Sequence, residues 1–421
     1  MALLSSVLFF LVLVALNYKY SKSLLYPPVI FSFVWLFSLI GLLISGDSLF
    51  SISIETIMVY MIGGLFFSLG GFFYFSNSIK ENTQKNVITL KKINKNLKFY
   101  FDAMLIIFII SSIIYALSFS EDFSNPLYFA NQRRLDVEIS GTTRDFSFIR
   151  NVSILGTFLI ITLHIHNQDS LLKNWRYWLV FITTALVGSL TGSKGILINL
   201  TLIAFFLSSI KNNKFNLKLL FIVLSIGLSS FIFGLLVLSY EYTITNQSYI
   251  ESLMDNSGEI IKTVQAYWLG GLIAFNNVVE NPDSLESTQN IFRGLVEIAN
   301  NFGANYYVPS LHAAFTCISQ FQCGINTYTI YFSYFKDYGW VGVIIGMFIY
   351  GFIMSWIYRW ATQKEPVFVA LYAVSANGLF FSFHAEHFFL NLNFMVKFLM
   401  FFYFTYYIVR RVSFKKKHSY A

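Results

Sequence analysis

Charge is what this sequence has little of. Asp, Glu, Lys and Arg make up 12% of its 421 residues, whereas hydrophobic residues make up 56%. Soluble globular proteins have a charged fraction of about 25%, so the composition excludes that class and predicts a polytopic membrane protein. The net charge of +8 lies in short basic clusters between apolar runs. The positive-inside rule explains this distribution better than nucleic-acid binding does.

Cysteine is also scarce, since the chain contains only Cys317 and Cys323. Nothing in their surroundings resembles a zinc site. In an oxidising compartment the two residues are able to pair, but their spacing alone fixes no geometry. Two unpaired thiols therefore stay an open alternative.

Apolar runs of membrane length recur along the chain and predict an all-α fold with about eleven transmembrane helices. The predicted spans are residues 2–16, 28–44, 56–75, 101–117, 148–166, two short helices within 177–210, then 219–238, 341–357, 367–383 and 388–409. The run at 177–210 is divided because one straight helix would be about 50 Å long, against a hydrocarbon layer of roughly 30 Å. The division falls at Leu190-Thr-Gly-Ser-Lys-Gly195.

The positions of the basic residues predict the topology. With the N terminus outside, most Lys and Arg residues fall on the cytoplasmic side, including the Lys-rich segment 77–96. Residues 1–240 then hold eight helices and an outer loop at 119–147. Residues 241–340 form a second, larger outer loop, and residues 341–421 hold three helices and a basic cytoplasmic tail. The two outer loops are periplasmic if the membrane is the bacterial inner membrane.

Several basic residues lie on the predicted outer side or in the membrane despite this bias. Those that best suit an anionic lipid head group are Arg133, Arg134, Arg144, Arg150, Lys194 and Arg293. Arginine makes planar, bidentate contacts with phosphate oxygens, so such a group suits a pyrophosphate. Ordinary surface ion pairs with local acids such as Asp136 and Glu138 are the alternative.

The large predicted loop offers other groups for chemistry. His312 is able to accept a proton near neutral pH, although a lone histidine in an aromatic-rich loop more often has a structural role. Asp337, just before Gly339, suits either helix-start capping or catalysis. Tyr328 and Tyr334 offer stacking faces to sugar rings or form part of an interfacial aromatic belt.

A second group of titratable residues lies between the last two predicted helices. His384 and His387 flank Glu386 in a predicted tight outer turn. Two histidines at this separation are common by chance and no third ligand is evident. The sequence therefore predicts no metal site.

Three motifs resemble those of a known family. Asn326-Thr-Tyr-Thr, Tyr334 and Asp337-Tyr-Gly-Trp-Val-Gly342 resemble the signature of bacterial oligosaccharide repeat-unit polymerases of the O-antigen polymerase (Wzy) type. The break at 190–195 is similar to a Thr-Gly-Ser-Arg-Gly element of that group, with Lys194 in place of the usual arginine.

The resemblance implies a multi-pass enzyme of the bacterial inner membrane with its active face in the periplasm. Such an enzyme transfers a growing glycan from one undecaprenyl-pyrophosphate carrier to a repeat unit on another, without nucleotide or metal cofactor. A chain-length regulator is an implied partner. Arg150, Lys194 and Arg293 fit the pyrophosphate clamp, and His312 is the leading candidate for the base. A lipid-linked oligosaccharide flippase, an O-antigen ligase and a non-catalytic membrane subunit are the alternatives.

Overall fold

The computed structural model of the chain describes residues 1–78, 95–119, 156–161, 175–190, 194–222, 224–226, 229, 257–281, 291–307, 316–320, 325, 327–389, 392–400 and 402–403. Regular structure in these residues is helical apart from isolated bridge residues, among them the antiparallel pair Thr316 and Ile325. The predicted all-α fold class is therefore confirmed for the described part of the chain.

The helices with defined bounds follow one another along the chain. They are α1 (Ala2–Ser21), α2 (Pro27–Ser45), α3 (Ile54–Ser78), α4 (Lys95–Phe119), α5 (Trp175–Leu190), α6 (Lys194–Asn212), α7 (Ser257–Glu280), α8 (Arg293–Asn301), α9 (Tyr331–Thr362) and α10 (Pro366–Phe380). The chain divides into two compact units, Met1–Val87 with Ile261–Lys397, and Ile88–Ile260 with Phe398–Ala421. The first unit contains α8, α9 and α10, on which the candidate site is built.

Four described helices are long and apolar enough to cross a membrane. They are Ala2–Ser21, Pro27–Ser45, Ile54–Tyr74 and Tyr331–Thr362. The first three match the first three predicted spans, and the protein is a multi-pass membrane protein. The total of eleven helices stays a prediction.

The run at 177–210 forms two helices, as predicted from its length. The first of them, α5, ends at Leu190, and α6 begins at Lys194. In the same unit, α4 and α5 are joined by a bidentate ion pair. The guanidinium of Arg176 donates to Asp102 Oδ1 and Oδ2 at 2.6 and 3.0 Å.

In the first unit, α3 and α9 pack backbone against backbone. A Cβ atom on Gly70 would lie 2.0 Å from the carbonyl oxygen of Phe348, and one on Gly351 would lie 2.0 Å from that of Phe67. Such contacts between small residues allow spanning helices to approach closely. Tyr331, the first residue of α9, packs on Trp35 with ring centroids 4.7 Å apart. These contacts fix the N-terminal end of α9 in the bundle.

Candidate functional site

The Asp-Tyr-Gly-Trp motif lies at a break inside α9. Gly339 has φ 57° and ψ −142°, which is not helical, and it separates a short helix that begins at Tyr331 from the long spanning helix. Side-chain-bearing residues rarely adopt this conformation. An added Cβ would meet nothing within 4 Å, so the backbone conformation, and not lack of space, requires glycine here.

Asp337 connects this break to α8. Its Oδ2 accepts a hydrogen bond from the backbone N–H of Ile291 at 2.9 Å, two residues before α8 begins. The carboxylate therefore anchors the segment that leads into α8. Its catalytic role stays a prediction.

Arg293 begins α8 and takes part in a polar network. Its Nε donates to Glu297 Oε1 at 3.1 Å, and the two side chains are only 12% and 14% exposed. Asn393 donates to Glu297 Oε2 at 3.0 Å and accepts from Asn301 at 3.2 Å. The network holds one side of α8 against the segment that follows α10.

The same side of α8 makes a close backbone contact. A Cβ on Gly294 would lie 2.4 Å from the carbonyl oxygen of Phe389. Only glycine leaves room for this approach. The position of Arg293 is therefore fixed by packing as well as by its ion pair.

The turn at 381–389 contains a buried carboxylate. Glu386 is 3% exposed, and its Oε1 accepts from the backbone N–H groups of Phe388 and Phe389 at 2.8 and 2.9 Å. Tyr334 and Tyr350 of α9 lie within electrostatic range of this carboxylate. Their hydroxyl groups are buried and have no hydrogen-bond partner among the described residues. The turn therefore places a negative charge beside two polar groups in the interior of the unit.

In the sequence, Glu386 stands out only as the residue between His384 and His387, where no metal site is predicted. The pattern that identifies it is a carboxylate between two apolar runs of membrane length, where an ionisable residue is costly and usually functional. Within the described residues no group of three His, Cys, Asp or Glu side chains is arranged to hold a metal ion.

His384 and His387 flank this carboxylate and are both partly buried. Their rings are nearly parallel, with centroids 6.2 Å apart. Burial lowers the pKa of His384 to about 4. Burial, with a smaller contribution from the charge of His384, lowers the pKa of His387 to about 3. Both imidazoles are therefore neutral near pH 7.

These two histidines predict a pH dependence of stability. An unfolded chain binds protons at His384 and His387 below about pH 6.5, whereas the folded protein binds them only near pH 3 to 4. The unfolded state holds more protons between these limits, so the free energy of unfolding is expected to fall as the pH is lowered from 6.5 to 4. Thermal unfolding of the purified protein in detergent, at a series of pH values, measures this change in stability. A His384→Gln, His387→Gln double variant should give a flatter dependence, and an unchanged slope would contradict this assignment.

The two predicted glycan-stacking tyrosines are both buried. Burial raises the pKa of Tyr328, whose ring lies 4.6 Å from that of Phe332. The ring of Tyr334 packs against Gly346, since a Cβ added to Gly346 would lie 2.3 Å from a ring atom. Neither ring offers an open face, and their binding of glycan stays a prediction.

The remaining predicted site residues fall into two groups. His312, Arg133, Arg134, Arg144 and Arg150 lie outside the described residues. Lys194 is the first residue of α6, in the second compact unit. The structure thus places Arg293, Tyr328, Tyr334 and Asp337 in one compact unit.

The open question about the cysteines is answered in part. Cys317 is disulfide-bonded, and Cys323, the other cysteine of the chain, lies outside the described residues. Beside Cys317, Thr316 forms its isolated bridge with Ile325 and accepts a hydrogen bond at its hydroxyl from Asn277 at 2.7 Å. The disulfide-bonded segment is therefore held against the end of α7.

A comparison with known families agrees with this geometry. Residues 315–381 match the model of a family described as "Putative O-antigen polymerase". The matched segment contains Asp337, the break at Gly339, and all of α9 and α10. No curated protein and no solved structure matches the chain. The match confirms the resemblance over this segment, and it supports a role in O-antigen biosynthesis with polymerase-like or glycosyltransferase-like activity.

Proposed function

We propose that this protein polymerises oligosaccharide repeat units carried on undecaprenyl pyrophosphate, at the periplasmic face of the bacterial inner membrane. The main support for the proposal is that the family match and the candidate site share residues. The matched residues 315–381 include Asp337, whose carboxylate binds the segment leading to Arg293. The matched motif therefore organises the cationic group that the proposed reaction needs.

The disulfide at Cys317 supports the choice of membrane face. Disulfides persist in oxidising compartments such as the bacterial periplasm and are rare in the cytosol. Cys317 lies within the matched segment, between α8 and α9 in the chain. The disulfide therefore supports a periplasmic position for the adjoining N-terminal end of α9.

The proposed reaction is a glycosyl transfer between two lipid-linked sugars. A hydroxyl oxygen of the acceptor repeat unit attacks the anomeric carbon of the donor glycan and forms the new glycosidic bond. The bond from that carbon to the pyrophosphate oxygen breaks, and undecaprenyl pyrophosphate leaves with the electron pair. The hydroxyl proton passes to a base, which is His312 in this proposal.

The charged groups of the site suit different parts of this reaction. In this proposal Arg293 binds the phosphate oxygens of the leaving group. Glu386 is a weak candidate for the base, because the two N–H groups on its Oε1 stabilise its charged form. A carboxylate held in the charged form instead stabilises positive charge that develops on the donor sugar. A chain-length regulator is a proposed partner.

A gel of the surface glycan from a strain that lacks this protein tests the proposal. The strain is expected to show a single-repeat band on a gel, and wild-type protein should restore a ladder. Arg293→Ala should fail to restore it at normal protein levels, because the phosphate contact is lost. Arg293→Lys should restore it partly, since lysine keeps the charge without the bidentate geometry.

Arg359 provides the control for this series. It lies in the last turn of α9, at the opposite end of the helix from the site, and Arg359→Ala should leave the ladder intact. A deletion strain with no glycan at all on the lipid would overturn the polymerase and point to a flippase or a ligase. Full activity of Arg293→Ala would remove Arg293 from the clamp but leave the polymerase.

A further inference from the structure

α8 has the reverse of the polarity expected for a helix in water. Its charged residues Arg293 and Glu297 are 12% and 14% exposed, whereas Leu295 is 51% exposed and Phe302, just after the helix, is 85% exposed. In a helix on a water-covered surface the apolar residues face the protein and the charged ones face solvent. The outward side of α8 is therefore apolar.

The outward residues form one stripe along the helix. Phe292, Leu295 and Phe302 are exposed, and with Ala299 their spacing of three and four residues places them on a single helical face. The opposite face is held by Gly294 against Phe389 and by the bonds of the polar network to Asn393 described above. The helix is thus not free to rotate its apolar stripe inward.

The position of α8 identifies what covers this stripe. Ile291, just before the helix, bonds to Asp337, which lies at the break where the long spanning part of α9 begins. One turn further along, Val341 and then Ile345 are exposed on the spanning helix. The start of α8 is therefore tied to the level at which a transmembrane helix leaves the bilayer.

From this arrangement we propose that α8 is an interfacial helix whose stripe of Phe292, Leu295 and Phe302 lies in the lipid surface. A short amphipathic helix of this kind buries its apolar face at the boundary between head groups and acyl chains. The polar network of Arg293 and Glu297 then lies on the protein side of the helix, at head-group depth. This inference does not depend on the proposed function.

Spin labels at single cysteines, in full-length protein reconstituted in phosphatidylethanolamine and phosphatidylglycerol nanodiscs, test the proposal. Leu295→Cys and Phe302→Cys are both suitable, because each side chain is exposed and its replacement removes little packing. Ile345→Cys serves as the lipid-facing reference and Lys214→Cys, at an exposed position, as the water-facing one. Relaxation by oxygen reports lipid access, and relaxation by a water-soluble nickel chelate reports water access.

The labels at 295 and 302 are expected to be relaxed by oxygen and shielded from the nickel chelate, as at 345. Access to the nickel chelate equal to that at 214 would mean that the stripe faces water and would overturn the proposal. Shielding from both agents would mean that protein, such as a second copy of the chain, covers the stripe, and this result would overturn it as well. Two labelled positions keep the test valid if one variant fails to fold.

Discussion

Replacing Gly339 with alanine is expected to abolish the glycan ladder while the protein is still inserted in the membrane. The backbone at this position, φ 57° and ψ −142°, costs a residue with a Cβ about 1–3 kcal/mol. The simplest relief is a local change toward continuous helix, which moves Asp337 away from the N–H of Ile291. The anchor of α8, and with it the position of Arg293, is then lost. A gel of surface glycan from the complemented deletion strain measures the effect.

Gly46 offers a matched control for this substitution. It ends α2 with φ 52° and ψ −132°, close to the values of Gly339, and an added Cβ again meets nothing within 4 Å. Gly46→Ala should therefore cause a similar strain at a place remote in sequence from the matched segment, and the ladder should persist. If both variants lose the ladder equally, general instability explains the result and Gly339 has no special role in the site.

The first residues of α9 show where prediction from the sequence ends. The apolar run predicts a helix over 341–357, and the structure begins the helix at Tyr331. Lys336 and Asp337 lower the mean hydropathy of residues 331–338, which precede the apolar run. These residues are nevertheless helical because Tyr331 packs between Trp35 and Tyr60, with ring centroids 4.7 and 5.7 Å away. Contacts between residues so distant in sequence leave no local pattern.

The segment 241–340 gives a second example. The sequence predicts a loop there, and the structure describes α7 and α8 within it, while the topology of this segment stays a prediction. Leu272 of α7 accepts from the hydroxyl of Tyr60 at 2.7 Å, and Asn276 accepts from Thr56 at 2.8 Å. Polar residues such as Asn276 and Asn277 lower the average hydropathy of α7. Their hydrogen bonds to Thr56 and Thr316, which are distant in sequence, become visible only in the folded chain.

The candidate site could also be predicted only in part, because some of its features depend on contacts between residues that are distant in sequence. Asp337 and Arg293 stand out in the sequence because they are charged residues of the predicted large loop, in a chain that has little charge. Glu386 is also a charged residue in the sequence, but its importance depends on burial and on two backbone hydrogen bonds. Those features arise from the turn that follows α10 and from its packing against Tyr334 and Tyr350. Composition and spacing do not contain that information.

Glu386→Ala is expected to abolish the ladder and to destabilise the protein. The substitution removes the acceptor of two N–H groups, one buried and one partly buried, and a buried donor left without a partner costs about 1–3 kcal/mol. Glu365 is a matched control, since its Oε2 accepts from Val367 and Phe368 at 2.8 and 3.1 Å with the same residue spacing, at the start of α10. Glu365→Ala should cost only about 0.5–2 kcal/mol, as for loss of a helix cap, and keep the ladder.

Glu386→Gln separates the charge of this side chain from its hydrogen bonds. The amide oxygen is still able to accept from both N–H groups, so the thermal unfolding temperature should stay near that of wild type. The negative charge is lost, and polymer formation is expected to fall at least about tenfold, as for loss of one electrostatic contact to a transition state. Since the matched bonds of Glu365 carry no such charge effect, Glu365→Gln should retain full polymer. A Glu386→Gln variant with a normal ladder would mean that Glu386 only shapes the turn, and the stabilising charge would then have to come from another residue.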